Sequence, residues 1–308
     1  MMKNILSIIV PCFNEEGCVD AFVEAIGQLR LPIGHEIVFI DDGSTDGTLD
    51  KIKHLAESND TVRYVSFSRN FGKEAALLAG LRKACGDYVV TMDVDLQDPP
   101  VLLPEMLDAV MSGEFDCAAT RRVNRAGEPV IRSFFARLFY RLMQRFSDVA
   151  LVDGARDYRL MRRNVVDAIL SMPEVNRFTK GIYQWVGFKT KWIEFENVER
   201  RVGETKWSFF KLLSYAIDGM LAFSTAPLQF ASIAGCLGCA ASFAGLLFVI
   251  IRKVLCGDPV AGWASLVCII IFFFSIQLFF MGIFGLYLAK TYRETKRRPL
   301  YLIREEKL

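Results

Sequence analysis

Val90-Thr91-Met92-Asp93-Val94-Asp95-Leu96-Gln97-Asp98-Pro99-Pro100, or VTMDVDLQDPP, is an apolar β-rich run that ends in three acids and a proline pair. The prolines explain why a strand stops there. They do not explain why carboxylates gather at its end. On either side the pattern repeats. LSIIVPCF precedes a helical stretch at residues 15–30, EIVFIDD one at 48–58, and TVRYVSFS one at 73–85. YVVTMD leads through the turn to a helix at 101–111, and FDCAATRR follows as a strand. This alternation predicts an α/β domain built on a mostly parallel sheet.

Open α/β sheets bind ligands at the carboxyl ends of their strands. Here those ends read Pro11-Cys12-Phe13-Asn14-Glu15, Asp41-Asp42-Gly43-Ser44, Ser68-Arg69-Asn70-Phe71-Gly72-Lys73, Asp93-Val94-Asp95 and Thr120-Arg121-Arg122. All are polar, more than turn chemistry requires. Neither G-x-G-x-x-G after the first strand nor G-x-x-x-x-G-K-[ST] is present, which argues against a dinucleotide oxidoreductase and a P-loop NTPase. Without a glycine cradle, bound phosphates need a metal ion and basic side chains. Asp93 and Asp95, at i and i+2 on a turn, suit one hard divalent cation, Mg2+ or Mn2+, which also takes diphosphate oxygens.

The formal net charge is +2, so no global field points to nucleic acid. Hydrophobic residues make up 52% and mean hydropathy is +0.28, an average that hides two unlike parts. Residues 1–205 alternate apolar and charged segments. Residues 227–290 are largely apolar. Within them, about 228–251 and 263–289 carry no charge and are long enough to cross a bilayer. The linker RKVLCGDPVAG carries a turn signal, which makes the pair a hairpin. The tail, residues 291–308, is basic, and from Lys290 onward the chain has seven Lys or Arg against two in the linker. That bias places tail and N-terminal domain in the cytoplasm, on a multi-pass inner-membrane protein.

Residues 206–226 place Trp207, Phe210, Leu213, Ile217, Met220 and Leu221 near helical spacing, an amphipathic helix fit for the interface. Ala234, Gly238 and Ser242 form a small-residue face for helix contact within the hairpin or between protomers, and a homo-oligomer is expected. The apolar run at residues 5–10 is too short for a signal peptide. The eight cysteines are scattered, as in a reducing compartment, and Cys236-x-x-Cys239 lies in an apolar span without a neighbouring His.

VPCFNEE, IDDGSTDGT, SRNFGKEAAL, MDVDLQDPP, DYRLMRR and VGETKWS, in that order, resemble the family 2 glycosyltransferases of the polyprenyl-phosphate type. The likeness spans essentially the whole chain and is nearest to bacterial undecaprenyl-phosphate glucosyltransferases with a two-helix anchor. It implies a GT-A fold, a sugar-nucleotide donor, a divalent metal and a lipid phosphate acceptor. Val94 departs from the small residue many relatives carry, at a position between the metal ligands.

By that resemblance Pro11, Phe13, Glu15, Asp41 and Asp42 line the nucleotide pocket, where a carboxylate accepts hydrogen bonds from a base or ribose. Asp93 and Asp95 hold the metal, with Gln97 near the acceptor phosphate. Lys73, at a helix start after Gly72, suits an anion-facing loop. Arg121 and Arg132 are candidates for the acceptor phosphate, since guanidinium binds phosphate through paired donors. Arg201 and Lys206 flank a Gly-Glu-Thr loop that could close over the diphosphate. Asp98 reads as a turn cap before Pro99. Asp157 falls where the family places its general base. A phosphate monoester has a second pKa of about 6 and needs little deprotonation, so Asp157 acts as base or orients substrate.

The expected reaction is inverting transfer of a hexose, glucose from UDP-glucose first, to undecaprenyl phosphate. N-acetylglucosamine, galactose and mannose donors are alternatives. A processive polysaccharide synthase would carry Q-x-x-R-W, where this chain has Tyr183-Gln184-Trp185-Val186. From another class, a non-catalytic nucleotide-binding membrane scaffold would keep the pocket and lose the acids.

Overall fold

The computed structural model describes residues 4–123, 152, 154–196, 223–256 and 262–308. The chain forms two units: residues 1–222 together with 298–308, and residues 223–297.

The first unit is an α/β sandwich on one eight-stranded sheet. Its parallel centre comprises β1 (Ile5–Cys12), β2 (Gly34–Asp41), β3 (Val62–Phe67) and β4 (Tyr88–Thr91). β5 (Cys117–Arg122), β6 (Ala155–Arg162) and β7 (Thr190–Phe195) extend one side, and β8 (Ile303–Lys307) closes the other. The order is β7-β5-β6-β4-β1-β2-β3-β8. β4/β6, β5/β6 and β3/β8 are antiparallel, and the remaining pairs are parallel. The expected mostly parallel α/β class is therefore the one observed.

The central strands are buried on both faces, which is why they read as continuous apolar runs. On one face α1 (Val19–Gly27), α2 (Thr48–Ser58) and α4 (Leu103–Met111) share a core with Leu6, Ile8 and Val10, centred on Phe22, Ile52 and Leu107. On the other, α3 (Lys73–Lys83) packs on β1 and β2 and contacts α5 (Arg163–Leu170). Ala75 through Leu81 are all buried. Gly80 sits so close to β1 that a Cβ there would stand 2.0 Å from Ile9 Cγ2. A short helix, α6 (Thr179–Trp185), precedes β7.

Strand order turns at β1, which pairs with β2 on one side and β4 on the other. Such a switch point leaves a crevice beyond the strand ends. β6 enters beside β4 in the opposite sense, with Thr91 opposite Arg159. Continuing that register two residues puts Asp93 opposite Asp157.

The tail contains a strand that its charged sequence does not announce. β8 is Ile-Arg-Glu-Glu-Lys and pairs with β3, Tyr64 opposite Lys307 and Phe67 opposite Ile303. In the second unit, α7 (Ala226–Cys256) and α8 (Trp263–Lys296) are long apolar helices. Two stretches within them, Ala226–Gly245 and Phe272–Lys296, are apolar and long enough to cross a membrane and are not buried within the protein. Phe230, Leu237, Phe248, Phe272 and Phe279 are each exposed, unlike the residues of a soluble protein's core helix.

Candidate active site

β4 ends at Thr91, and the acids lie in the turn that follows. Leu96 takes a left-handed φ of 57°, rare for a side chain of this kind, so the chain doubles back and Gln97 N–H donates to Asp95 Oδ1 at 3.1 Å. Asp95 is buried and Asp93 half-buried. Asp98 does not cap the turn as its sequence suggests. It is fully buried and accepts from Arg156 Nε at 2.8 Å, which ties the acidic turn to the start of β6. The charge on Asp98 holds the Arg156 guanidinium further up, although burial opposes it.

Arg156 precedes Asp157, and the two strands are stitched again where Thr91 Oγ1 donates to the Asp157 carbonyl at 2.5 Å. Two carboxylates brought this close need a cation. Lys73 supplies it, with Nζ 2.7 Å from Asp157 Oδ2 and 2.7 Å from Asp93 Oδ1. Burial alone would raise the Asp157 carboxyl, but Lys73, Lys180 and Arg156 overcome it and hold the group well below the usual carboxylate range. Lys73 moves the other way: burial would lower it, and Asp157 and Asp93 raise it. Lys73 is thus the hub of the site. Its place is set by Gly72, at φ 98°, and by the first turn of α3.

Next to Lys73, Glu74 accepts hydrogen bonds from the backbone N–H (2.9 Å) and hydroxyl of Thr179, anchoring α6 to α3. Burial pushes the Glu74 carboxyl up. Lys180, the next residue, donates to the Ala155 carbonyl at 3.1 Å. Sequence reasoning missed Glu74, Arg156 and Lys180. Adjacency to Lys73 and Asp157 was the available signal for the first two, and Lys180 had none.

The β1 and β2 ends form a second cluster. Asp41 is buried, taking Ser66 Oγ at 2.7 Å and Ser44 N–H at 3.0 Å. Asp42 accepts Phe71 N–H at 2.6 Å and Gly72 N–H at 2.9 Å, so it shapes the loop that delivers Lys73. Burial raises the Asp42 carboxyl, and those two backbone donors oppose the shift. Gly43 has φ 68°, and a Cβ there would meet Arg69 C at 2.4 Å. Glu15 N–H donates to Thr48 Oγ1 at 2.9 Å, Pro11 lies in β1 opposite Ile40, and the Phe13 ring is exposed. Arg121 pairs with Glu194 on β7 rather than standing free for an anion. Arg132, Arg201, Lys206 and the segment 206–222 lie outside the described residues.

Among the described residues no three His, Cys, Asp or Glu converge into a metal cage. Mg2+ rarely uses one in phosphate-transfer sites, where one or two carboxylates and the substrate's phosphates suffice. Asp93 and Asp95 fit that donor set.

The sequence profile described as Glycosyl transferase family 2 matches residues 7–170. The chain is 39% identical over 307 residues to the putative glycosyltransferase CsbB of Bacillus subtilis (strain 168), covering 99% of this chain and 93% of that protein. It is 39% identical over 304 residues to the bactoprenol glucosyl transferase of Shigella phage SfV, covering 98% and 99%. Among solved structures, glucosyl-3-phosphoglycerate synthase from Mycobacterium tuberculosis, in complex with Mn2+ and uridine-diphosphate-glucose, matches with TM-score 0.46 and 21% identity. That match covers 71% of this chain and 77% of that one.

Proposed function

Because the chain belongs to glycosyl transferase family 2, we propose that it transfers a hexose from a sugar nucleotide to a polyprenyl phosphate at the cytoplasmic membrane face. It is a glycosyltransferase, and its α/β unit is of the GT-A kind. The proposed donor is UDP-glucose and the acceptor undecaprenyl phosphate. Likeness to a bactoprenol glucosyl transferase over nearly the whole of both chains supports that choice.

One observation carries the chemical reading: Asp93, from the turn after β4, and Asp157, on β6, meet across Lys73 beside the β1/β4 switch point. An acceptor phosphate oxygen attacks the anomeric carbon, the bond from that carbon to the donor diphosphate breaks, and nucleoside diphosphate leaves with its electron pair. Attack opposite the leaving group inverts the centre and gives a β-linked product. Asp93 and Asp95 would hold Mg2+ or Mn2+, which when bound supplies Lewis-acid neutralisation of diphosphate charge. Lys73 places a positive charge beside Asp93 and Asp157, and Asp157, kept ionised, orients the acceptor or a sugar hydroxyl. The acceptor is already largely dianionic at neutral pH, with a second pKa of about 6, so little proton removal is required.

Membrane topology draws support from the tail. The chain leaves the α/β unit after residue 222 and is part of it again from Arg298, where β8 pairs with β3. A membrane segment between those points crosses an even number of times, as a two-helix hairpin does. Lys and Arg in the tail outnumber those in the linker, which favours the cytoplasmic side.

The test is transfer from a panel of radiolabelled UDP- and GDP-sugars to undecaprenyl phosphate in membranes, with and without EDTA. A chloroform-soluble product from UDP-glucose, lost with EDTA, is the expected outcome. Labelling from a different donor would reassign the sugar. No lipid labelling by folded enzyme would overturn the acceptor assignment.

A further inference from the structure

The loop that delivers Lys73 is held from two sides. On one, Asp42 takes the N–H groups of Phe71 and Gly72. On the other lies chain from beyond the two apolar helices. Ser68 N–H donates to the Leu302 carbonyl at 2.9 Å. The Tyr301 ring stacks on Phe67, centroids 4.9 Å apart and planes 14° from parallel. Phe71 in turn sets its edge to Phe67 at 5.8 Å and 88°. Leu300 and Phe71 line one small cavity of about 120 Å³, together with Glu74 and Arg177. Three rings therefore run from the tail into the loop, and two residues after the third stands Lys73.

β8 itself has little to bury. Four of its five residues are charged, and Ile303 is exposed. Its seat depends on pairing with β3, on Lys53–Glu305 at 2.8 Å, on Lys83–Glu306 at 2.7 Å, and on Lys307 Nζ reaching the Ala56 carbonyl. Half-buried pairs of this kind, open to solvent screening, each contribute modestly. A strand with so small a core contribution, docked so specifically, is better placed to shape its neighbour than to stabilise the sheet.

We propose that Tyr301 and β8 position the 68–73 loop for donor binding, so that the donor site is completed by residues lying after the apolar helices. Tyr301 is a positioning residue: it acts through Phe67 and Phe71 on Asp42 and Lys73. The inference rests on the proposed sugar-nucleotide transfer, with Asp42 and Lys73 at the donor site as the family resemblance implies.

The experiment uses the full chain in detergent, with nucleoside diphosphate and Mn2+ titrated calorimetrically and donor KM and kcat measured in parallel. Tyr301→Ala is expected to weaken nucleotide affinity and raise donor KM by about 2- to 10-fold, the equivalent of one aromatic pair. kcat should change less. Tyr301→Phe keeps the stack, loses the contact of Arg82 Nη1 with the phenol oxygen at 3.4 Å, and should behave as wild type. Should Tyr301→Ala not fold, Lys53→Glu loosens β8 from α2 and should raise KM, with Glu305→Lys in the same chain restoring it. Unchanged affinity and KM in Tyr301→Ala, or in Lys53→Glu where that stands in for it, would overturn the proposal, as would a fall in kcat alone. Failure of the wild-type chain to bind any nucleotide would sink the donor-site assignment and this inference with it.

Discussion

Asp157 Oδ2 lies 2.7 Å from Lys73 Nζ, and the same ammonium reaches Asp93 Oδ1 at 2.7 Å. One cation thus joins an acid of the turn after β4 to an acid of β6. Lys73→Met should leave two carboxylates facing each other across the register of β4 and β6. The expected loss is about 1–3 kcal/mol of stability, less than the 3–5 typical of a fully buried pair, because the Lys73 side chain is 36% exposed. Thermal unfolding of the purified protein measures it, and Mn2+ binding to the variant without donor should tighten as the competing ammonium is removed.

The depressed pKa of Asp157 fixes the sign of its pH dependence. Its stabilising contribution is fully present above the unfolded value of about 3.9 and is lost only as pH falls through the lower folded value. Asp157 therefore does not titrate between pH 5 and 8. An acid limb near pH 6 in kcat/KM should belong to the acceptor phosphate. In Asp157→Asn, kcat should fall by about 10²-fold, the cost of a misplaced substrate, while that limb stays in place. Disappearance of the limb in the variant would reassign it to Asp157.

Asp98 and Arg156 offer a cleaner stability test, because Asp98 is fully buried and Arg156 is 21% exposed. Arg156→Ala strands a buried carboxylate and should cost about 3 kcal/mol, lowering Tm by roughly 6–12 °C. Adding Asp98→Asn should recover part of that loss. A double-mutant cycle with additive penalties would show that the pair is not coupled.

The metal assignment separates by residue. Asp95→Ala should abolish EDTA-sensitive transfer, reducing kcat by at least about 10²-fold, while nucleoside diphosphate still binds weakly in EDTA. Equal metal dependence in the variant and the wild type would remove Asp95 from the site.

Much of this was visible in the chain itself. Continuous apolar runs marked β1, β2 and β4 because those strands are covered on both faces, and Asp93 and Asp95 stood out because turns do not require two acids. Asp98 was misread because local turn chemistry explains it well enough, whereas its partner lies 58 residues away. The meeting of Asp93 with Asp157 depends on an antiparallel register, and no pattern within either segment encodes which residue sits opposite which. β8 was invisible for another reason. As an edge strand it carries charge where inner strands carry apolar side chains, so Ile-Arg-Glu-Glu-Lys reads as a solvated tail.

The pairing of β3 with β8 also orders events during synthesis. β3 is made early but keeps an open edge until translation has passed both apolar helices and reached Lys307. The pairing sets Tyr64 opposite Lys307, residues from the two ends of the chain, so no local refolding can close that edge sooner. A nascent chain held up at either apolar segment would present an unpaired strand to its surroundings, the usual starting point for aggregation. Synthesis of the two apolar helices and completion of the sheet are thereby made sequential, and a chain arrested before β8 keeps the β3 edge open.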